Sequence, residues 1–291
     1  MDQLQHRKGL LITLIGVLVL TPDSLLFFLA NVDPFEMIFW RGLFQGTALT
    51  IGFAFVYKDQ FFPMVKAIGK TGILVSLSFA ICNISFVYSL ALTGAANTLI
   101  CVATSSMWAA LFSFLIMKER VRPVTLVAMI FAFIGIIVVF MDDFGSADLS
   151  QNLFGIATAI TLALSFTLIR KKSHVNMLPT SAISAFMGAI IAVSFLYRID
   201  YEASQWIYMA IMGFVVVPLS FACLAIGPRY IPAAEVSLLM LLETVLGPIW
   251  VWIGIGTEPH TNEIYGGAIV VGTLLIHSLY RLKFPRKKAA A

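Results

Sequence analysis

Apolar residues in this chain come in long runs, without the two-residue alternation of a half-buried strand or the single stripe of a surface helix. Gly, Pro and charge clusters divide ten such runs at approximately residues 9–29, 35–56, 70–91, 95–117, 124–141, 153–170, 179–197, 205–226, 234–256 and 264–281. Each is about 17–25 residues long, which as a helix crosses a bilayer core of about 30 Å. The pattern predicts an all-α integral membrane protein with ten transmembrane helices. The first run follows a short basic start, lacks a small-x-small exit site before Asn31, and reads as a retained signal-anchor.

Charge sets the direction of threading. If the N-terminus is cytoplasmic, every one of the 19 Lys and Arg residues except Arg41 and Arg198 falls in a cytoplasmic loop or end. The opposite loops carry Asp142, Asp143, Asp148, Asp200, Glu202, Glu258 and Glu263. An odd number of spans, or the merging of two neighbours, spoils this alternation, so charge supports the count of ten as well as cytoplasmic N- and C-termini. Composition agrees: 60% of the 291 residues are hydrophobic and 12% charged, about half the charge of a soluble chain. The formal net charge of +4 follows the loops and forms no nucleic-acid face. Loops of at most about 14 residues leave no room for a nucleotide-binding domain, and no phosphate-loop motif occurs. Cys82, Cys101 and Cys223 lie in apolar runs without CxxC spacing and read as small core residues.

Shifting the chain on itself by 139 positions superposes Ala95 on Ala234 and Glu119 on Glu258 without a gap between them. Five spans per half give the halves opposite membrane orientation, which is an inverted repeat, with the solute site near the midplane where the halves meet. The expected units are residues 1–143 and 152–283, each a five-helix repeat, followed by a basic tail at 284–291. Residues Pro34-Phe35-Glu36-Met37-Ile38-Phe39-Trp40-Arg41, Ala91-Leu92-Thr93-Gly94-Ala95-Ala96, Lys118-Glu119-Arg120, Leu242-Glu243-Thr244-Val245 and Gly256-Thr257-Glu258-Pro259 resemble the drug/metabolite transporter superfamily, EamA type. The resemblance covers nearly the whole chain. It implies a ten-helix secondary transporter of two inverted five-helix repeats working by alternating access. Its members move amino acids, nucleotide-derived metabolites, vitamins and drugs, so it names the task and not the cargo.

Ionisable residues inside spans cost roughly 2.5–3.5 kcal/mol each on insertion scales and therefore face a cavity or a partner. Three stand out: Asp23, Arg41 and Glu243. Asp23 and Arg41 both lie ~10 Å below the outer boundary at 1.5 Å per residue, so they can pair, either as a packing ion pair or as a gate or zwitterion site. Pro22 removes a backbone hydrogen bond beside Asp23 and suits a moving or ligand-lining segment. Glu243 sits mid-span with no basic residue in its own span, whereas Glu235 is expected at the cytoplasmic boundary in reach of water.

Asn97, Cys101, Thr104, Ser105 and Trp108 share one helical stripe, and the 139-residue shift pairs Thr104 with Glu243. A matching face of each repeat is thus expected to turn toward one cavity; hydroxyl residues acting only as helix glue are the plainer alternative for Thr104 and Ser105. Expected solute-binding residues are Asp23, Arg41, Asn83, Tyr88, Thr104, Ser105, Trp108, Glu243 and Trp250. Asn83 and Tyr88 lie five positions apart, so at most one of them faces the cavity squarely. Glu243 and Asp23 are the candidates for proton coupling. His277 is expected at the membrane interface, Trp206 in the aromatic belt, and Gly42 and Gly46 in close helix packing.

No HExxH motif, Asp/His cluster or mid-membrane Ser–His pair is present, so neither an enzyme nor a metal or cofactor site is expected. The expectation is a secondary transporter of a small polar metabolite, an amino acid or carboxylate-bearing solute, in a bacterial inner membrane. Its partners are that solute and lipid, with no nucleic acid, as a monomer or homodimer. A broad-specificity exporter of amphipathic compounds, and a channel, stand as alternatives.

Overall fold

A computed structural model describes residues 3–119, 121–139, 152–197, 199–256 and 261–283. Asp142, Asp143, Asp148, Arg198, Glu258 and the tail at 284–291 lie outside the described residues, as does the side chain of Asn97.

Every apolar run is helical over most of its length. Helices α1 (Gln3–Leu20) and α2 (Asp23–Ala30) form the first run, broken at Thr21-Pro22, and α3 (Pro34–Tyr57) the second. A short α4 (Phe61–Ala67) leads to α5 (Gly69–Ala103), which turns sharply at Gly94, and then α6 (Ser105–Met117) and α7 (Pro123–Val139) follow. The second half holds α8 (Asn152–Lys171), α9 (Leu178–Val193), α10 (Ala203–Ile211), α11 (Val217–Ile226), α12 (Ala233–Ile255) and α13 (Thr261–Lys283). No strand occurs among the described residues.

Local chemistry sets the ends. Asp33 accepts from the Phe35 N–H at 2.9 Å while Pro34 opens α3, so the donor that proline lacks is not missed. Glu202 and Gln205 form a reciprocal capping box on α10. Gly94, at φ 76°, makes the turn between the third and fourth runs in a backbone region that disfavours side chains. A wide turn at Met212–Val216 joins α10 to α11 just before Pro218 and keeps one chain path through the bilayer.

Among the described residues, six helical stretches are long and apolar enough to cross a membrane: Leu4–Ala30, Gly69–Ala95, Thr98–Met117, Leu153–Lys171, Ala203–Arg229 and Ala233–Ile255. Three shorter apolar ones run from Pro123 to Val138, Leu178 to Val193 and Ile264 to His277. The outside of the bundle is apolar; α7 exposes Ile130 and Phe131, and α13 exposes Leu275 and Ile276. A belt of that kind needs lipid against it. Several buried hydroxyls are satisfied locally: Ser76, Thr161, Ser165 and Thr167 return theirs to carbonyls of their own helices at 2.7–3.0 Å.

The helices pack in pairs that bring small residues into contact. Gly42 of α3 faces Ala185 and Ala189 of α9; a Cβ there would lie 2.5 Å from the Ala185 carbonyl oxygen. Gly155 of α8 backs onto Cys101 at the end of α5, Gly135 of α7 onto Gly266 and Val270 of α13, and Gly16 of α1 onto Ser220 and Cys223 of α11. Helix α6 packs on both α8 and α12, and α5 packs on α9 as well as on α8. Helix α12 is buried on all sides from Ala233 to Thr244, which makes it the central element of the bundle.

Two residues depart from expectation. Glu235 is 3% exposed, with its carboxylate 3.6 Å from His6 Nε2, because the start of α1 lies across the start of α12 and excludes water there. His277 is 5% exposed and its Nε2 lies 3.1 Å from Thr125 Oγ1, because α13 turns that face onto α7.

Candidate functional site

The centre of the bundle holds a small cavity whose polar lining is Asp23, Arg41, Asn83, Thr158 and Glu243. Its geometry begins at the break in the first run. Pro22 has no N–H, so the Leu18 carbonyl, four residues earlier, loses its helical donor. The Thr21 hydroxyl supplies one instead, donating to Leu18 O at 2.8 Å. Helix α2 then restarts at Asp23, whose carboxylate lies in the first turn, where the helix dipole favours negative charge.

Asp23 is fully buried, and Arg41 Nη2 donates to its Oδ2 at 2.9 Å. The guanidinium also lies over the Phe86 ring, 5.8 Å from its centroid. Asp23 Oδ1 and Arg41 Nε and Nη1 have no hydrogen-bond partner among the described residues. Glu243, 2% exposed on the central helix, opens onto the same cavity. One cation, paired with Asp23, thus shares a cavity with two buried carboxyl groups. A guanidinium with two unused donors can take a further acceptor, and two carboxyl groups in a cavity with one cation can take a further cation or a proton.

Asn83 Nδ2 donates to Phe79 O at 3.0 Å, which leaves its carbonyl oxygen free to accept. The remaining wall is Leu20, Cys82, Phe86, Val102, Leu162, Phe221, Leu224 and Met240. The cavity volume is about 30 Å³, room for water and not for a metabolite. A solute can occupy this place only after the surrounding helices part.

The other expected site residues stand elsewhere. Tyr88 packs its ring against Phe35 at 5.0 Å and Phe154 at 5.5 Å, away from the cavity. Thr104 and Trp108 do share a face, but it lines a separate recess of about 530 Å³ on the flank of the bundle, with Met107, Leu111, Phe133 and Ile156. Ser105 is fully buried, its hydroxyl without a partner among the described residues. Trp250 does not line the cavity; its indole Nε1 donates to Thr21 Oγ1 at 2.8 Å. The structure therefore brings Asp23, Arg41, Asn83 and Glu243 together, and not Tyr88, Thr104, Ser105, Trp108 or Trp250. It adds Thr158, Phe86 and Met240. Met240 lies one helical turn before Glu243, a spacing that could have marked it; Thr158 and Phe86 carry no sequence signal of their own.

The chain matches the model of the EamA-like transporter family twice, over residues 8–141 and 149–279. It is 23% identical over 234 residues to an uncharacterized transporter of Clostridium kluyveri, covering 75% of this chain and 74% of that protein. It is 22% identical over 254 residues to the uncharacterized transporter YdfC of Bacillus subtilis, covering 84% and 81%. One solved crystal structure, at 15% identity, superposes with a TM-score of 0.78 over 94% of this chain and 98% of that one, a likeness of fold alone. With matches on both halves and several helices fit to cross a bilayer, this multi-pass membrane protein belongs to the EamA-like transporter family.

Proposed function

We propose that the protein is a secondary transporter that carries a small polar metabolite, an amino acid or another carboxylate-bearing solute, by alternating access through the Asp23–Arg41–Glu243 cavity. The observation that carries this reading is a set of three ionisable side chains buried on three different helices around one cavity, with donors and acceptors left over. Arg41 receives the solute's carboxylate, and Glu243 or Asp23 its amine or a coupled proton.

The architecture proposed is ten spans in two inverted repeats, residues 1–143 and 152–283, with both termini cytoplasmic in a bacterial inner membrane. Helix pairing supports it. With the ten runs numbered in order, contacting pairs join runs two and seven (α3, α9), four and nine (α6, α12), and five and ten (α7, α13). Two more join one and eight (α1, α11) and three and six (α5, α8). Exchanging each run with the one five places on leaves the first three pairs unchanged and turns the last two into one another, as a two-fold axis between repeats requires. The two separate family matches and the distribution of basic residues point the same way.

The recess at Thr104 and Trp108 favours a second reading, in which an amphipathic compound reaches the chain from the bilayer. The test is a thermal-stability screen of metabolites on the purified protein, repeated on Arg41→Lys and Glu243→Gln. A carboxylated metabolite should raise the melting temperature of the wild type and lose that effect in both variants. Stabilisation by amphipathic cations alone, undiminished in the variants, would turn the reading toward the recess.

A further inference from the structure

The hydrogen bond from Trp250 to Thr21 joins the two segments that match the family model, and it does so at the one break in the first run. Trp250 Nε1 donates to Thr21 Oγ1 at 2.8 Å, and the same hydroxyl donates to Leu18 O at 2.8 Å. Leu18 O is the carbonyl that Pro22 leaves without a donor. The indole of α12 is thereby tied, through one hydroxyl, to the backbone that sets where α2 restarts and so where Asp23 points.

The contact is close along its length. A Cβ on Gly254 would lie 2.4 Å from Leu25 Cδ1, and one on Gly247 3.8 Å from Ser24 Oγ. Helix α2 therefore lies flush on the last turns of α12, on the Gly256 side of Glu243. Leu20 and Asp23, either side of the break, both line the cavity. Parting of α2 from α12 widens the cavity of about 30 Å³ toward that end.

We infer that Trp250 and Thr21 are positioning residues that act as a latch: their hydrogen bond holds α2 against α12, keeps Asp23 in register with Arg41, and breaks when the cavity opens toward the Asn31 and Gly256 ends. This rests on the carrier reading above. Trp250 has its polar edge turned to Thr21 and acts on the solute through Asp23. When the latch opens, Thr21 keeps its bond to Leu18 O and the indole N–H is left to water or lipid headgroups. Only one neutral hydrogen bond is lost, which shifts an opening equilibrium by roughly two- to tenfold.

Cys82 lines the cavity at 4% exposure and reports its opening without any knowledge of the solute. With Cys101→Ser and Cys223→Ser as background, Cys82 is the sole thiol, and its rate of reaction with a membrane-impermeant methanethiosulfonate is measured in vesicles of both orientations. Trp250→Phe keeps the ring and removes the donor, Thr21→Val removes the hydroxyl at nearly constant shape, and Thr21→Ser restores it. Trp250→Phe and Thr21→Val should each speed labelling from the outer face two- to tenfold. Thr21→Ser should match the background, and the double variant should label no faster than the faster single one. Gel filtration confirms that each variant is folded. Labelling of Cys82 at one common rate in all variants, or additive acceleration in the double variant, overturns the latch and leaves the carrier reading standing. No labelling from either face in any variant overturns both.

Discussion

Replacing Arg41 with Met strands the Asp23 carboxylate and leaves Glu243 with no cation in its cavity. Asp23 is fully buried and Glu243 2% exposed, and Arg41 is the cation shared by their cavity. Removing one partner of a buried ion pair costs about 3–5 kcal/mol, because the remaining charge is left uncompensated. At about 2–4 °C per kcal/mol for a chain of this class, the melting temperature should fall by roughly 6–20 °C. Asp23→Asn in the same chain removes the stranded charge, so the double variant should be much less destabilised than the two single losses combined, with a coupling of about 0.5–3 kcal/mol. Lowering the pH should shrink the loss in Arg41→Met, since a proton neutralises the stranded carboxylate. The assay is thermal unfolding of ligand-free protein in one detergent across a pH series. A melting point for Arg41→Met within about 2 °C of wild type, or strict additivity in the double variant, would refute the buried-pair reasoning.

Three further outcomes follow from the packing and the site. Gly42→Val drives a side chain into the Ala185 carbonyl, 2.5 Å from where its Cβ would sit, and should cost about 1–3 kcal/mol in thermal unfolding by prising α3 from α9. Glu243→Gln should keep the fold and lose uptake with and without an imposed proton gradient; uptake in this variant that still rises with the gradient would remove Glu243 from both binding and coupling. Thr125→Val removes the hydroxyl that bonds buried His277 across α7 and α13 and should lower stability by about 0.5–1.5 kcal/mol while leaving solute stabilisation intact.

What the chain reveals before folding follows from what a bilayer enforces. Apolar length and the side taken by Lys and Arg are fixed by the solvent, so the runs and their helical state are legible directly. Asp23 and Arg41 were legible as possible partners because helical rise gives their depth, and charges at equal depth on neighbouring runs seek each other. Depth gives no azimuth. Thr104 and Trp108 do lie on one face, but periodicity does not say which neighbour that face meets, and the turn at Gly94 sets it toward the flank. Trp250 reads equally well as a stacking platform or as a donor; only the rotation of α12 decides that its N–H reaches Thr21. Distance from a helix end places Glu235 and His277 near water but overlooks the cover that α1 and α7 give them.

The central claim is that the Asp23–Arg41–Glu243 cavity binds a solute alternately from the two sides. Counterflow measures this most directly: liposomes carrying the protein are loaded with the unlabelled solute that emerges from the stability screen, and entry of labelled solute is followed. Entry should saturate, accelerate with solute on the far side, and disappear in Arg41→Lys and Glu243→Gln. Flux that rises linearly with concentration, ignores solute on the far side, or persists undiminished in those two variants would contradict it.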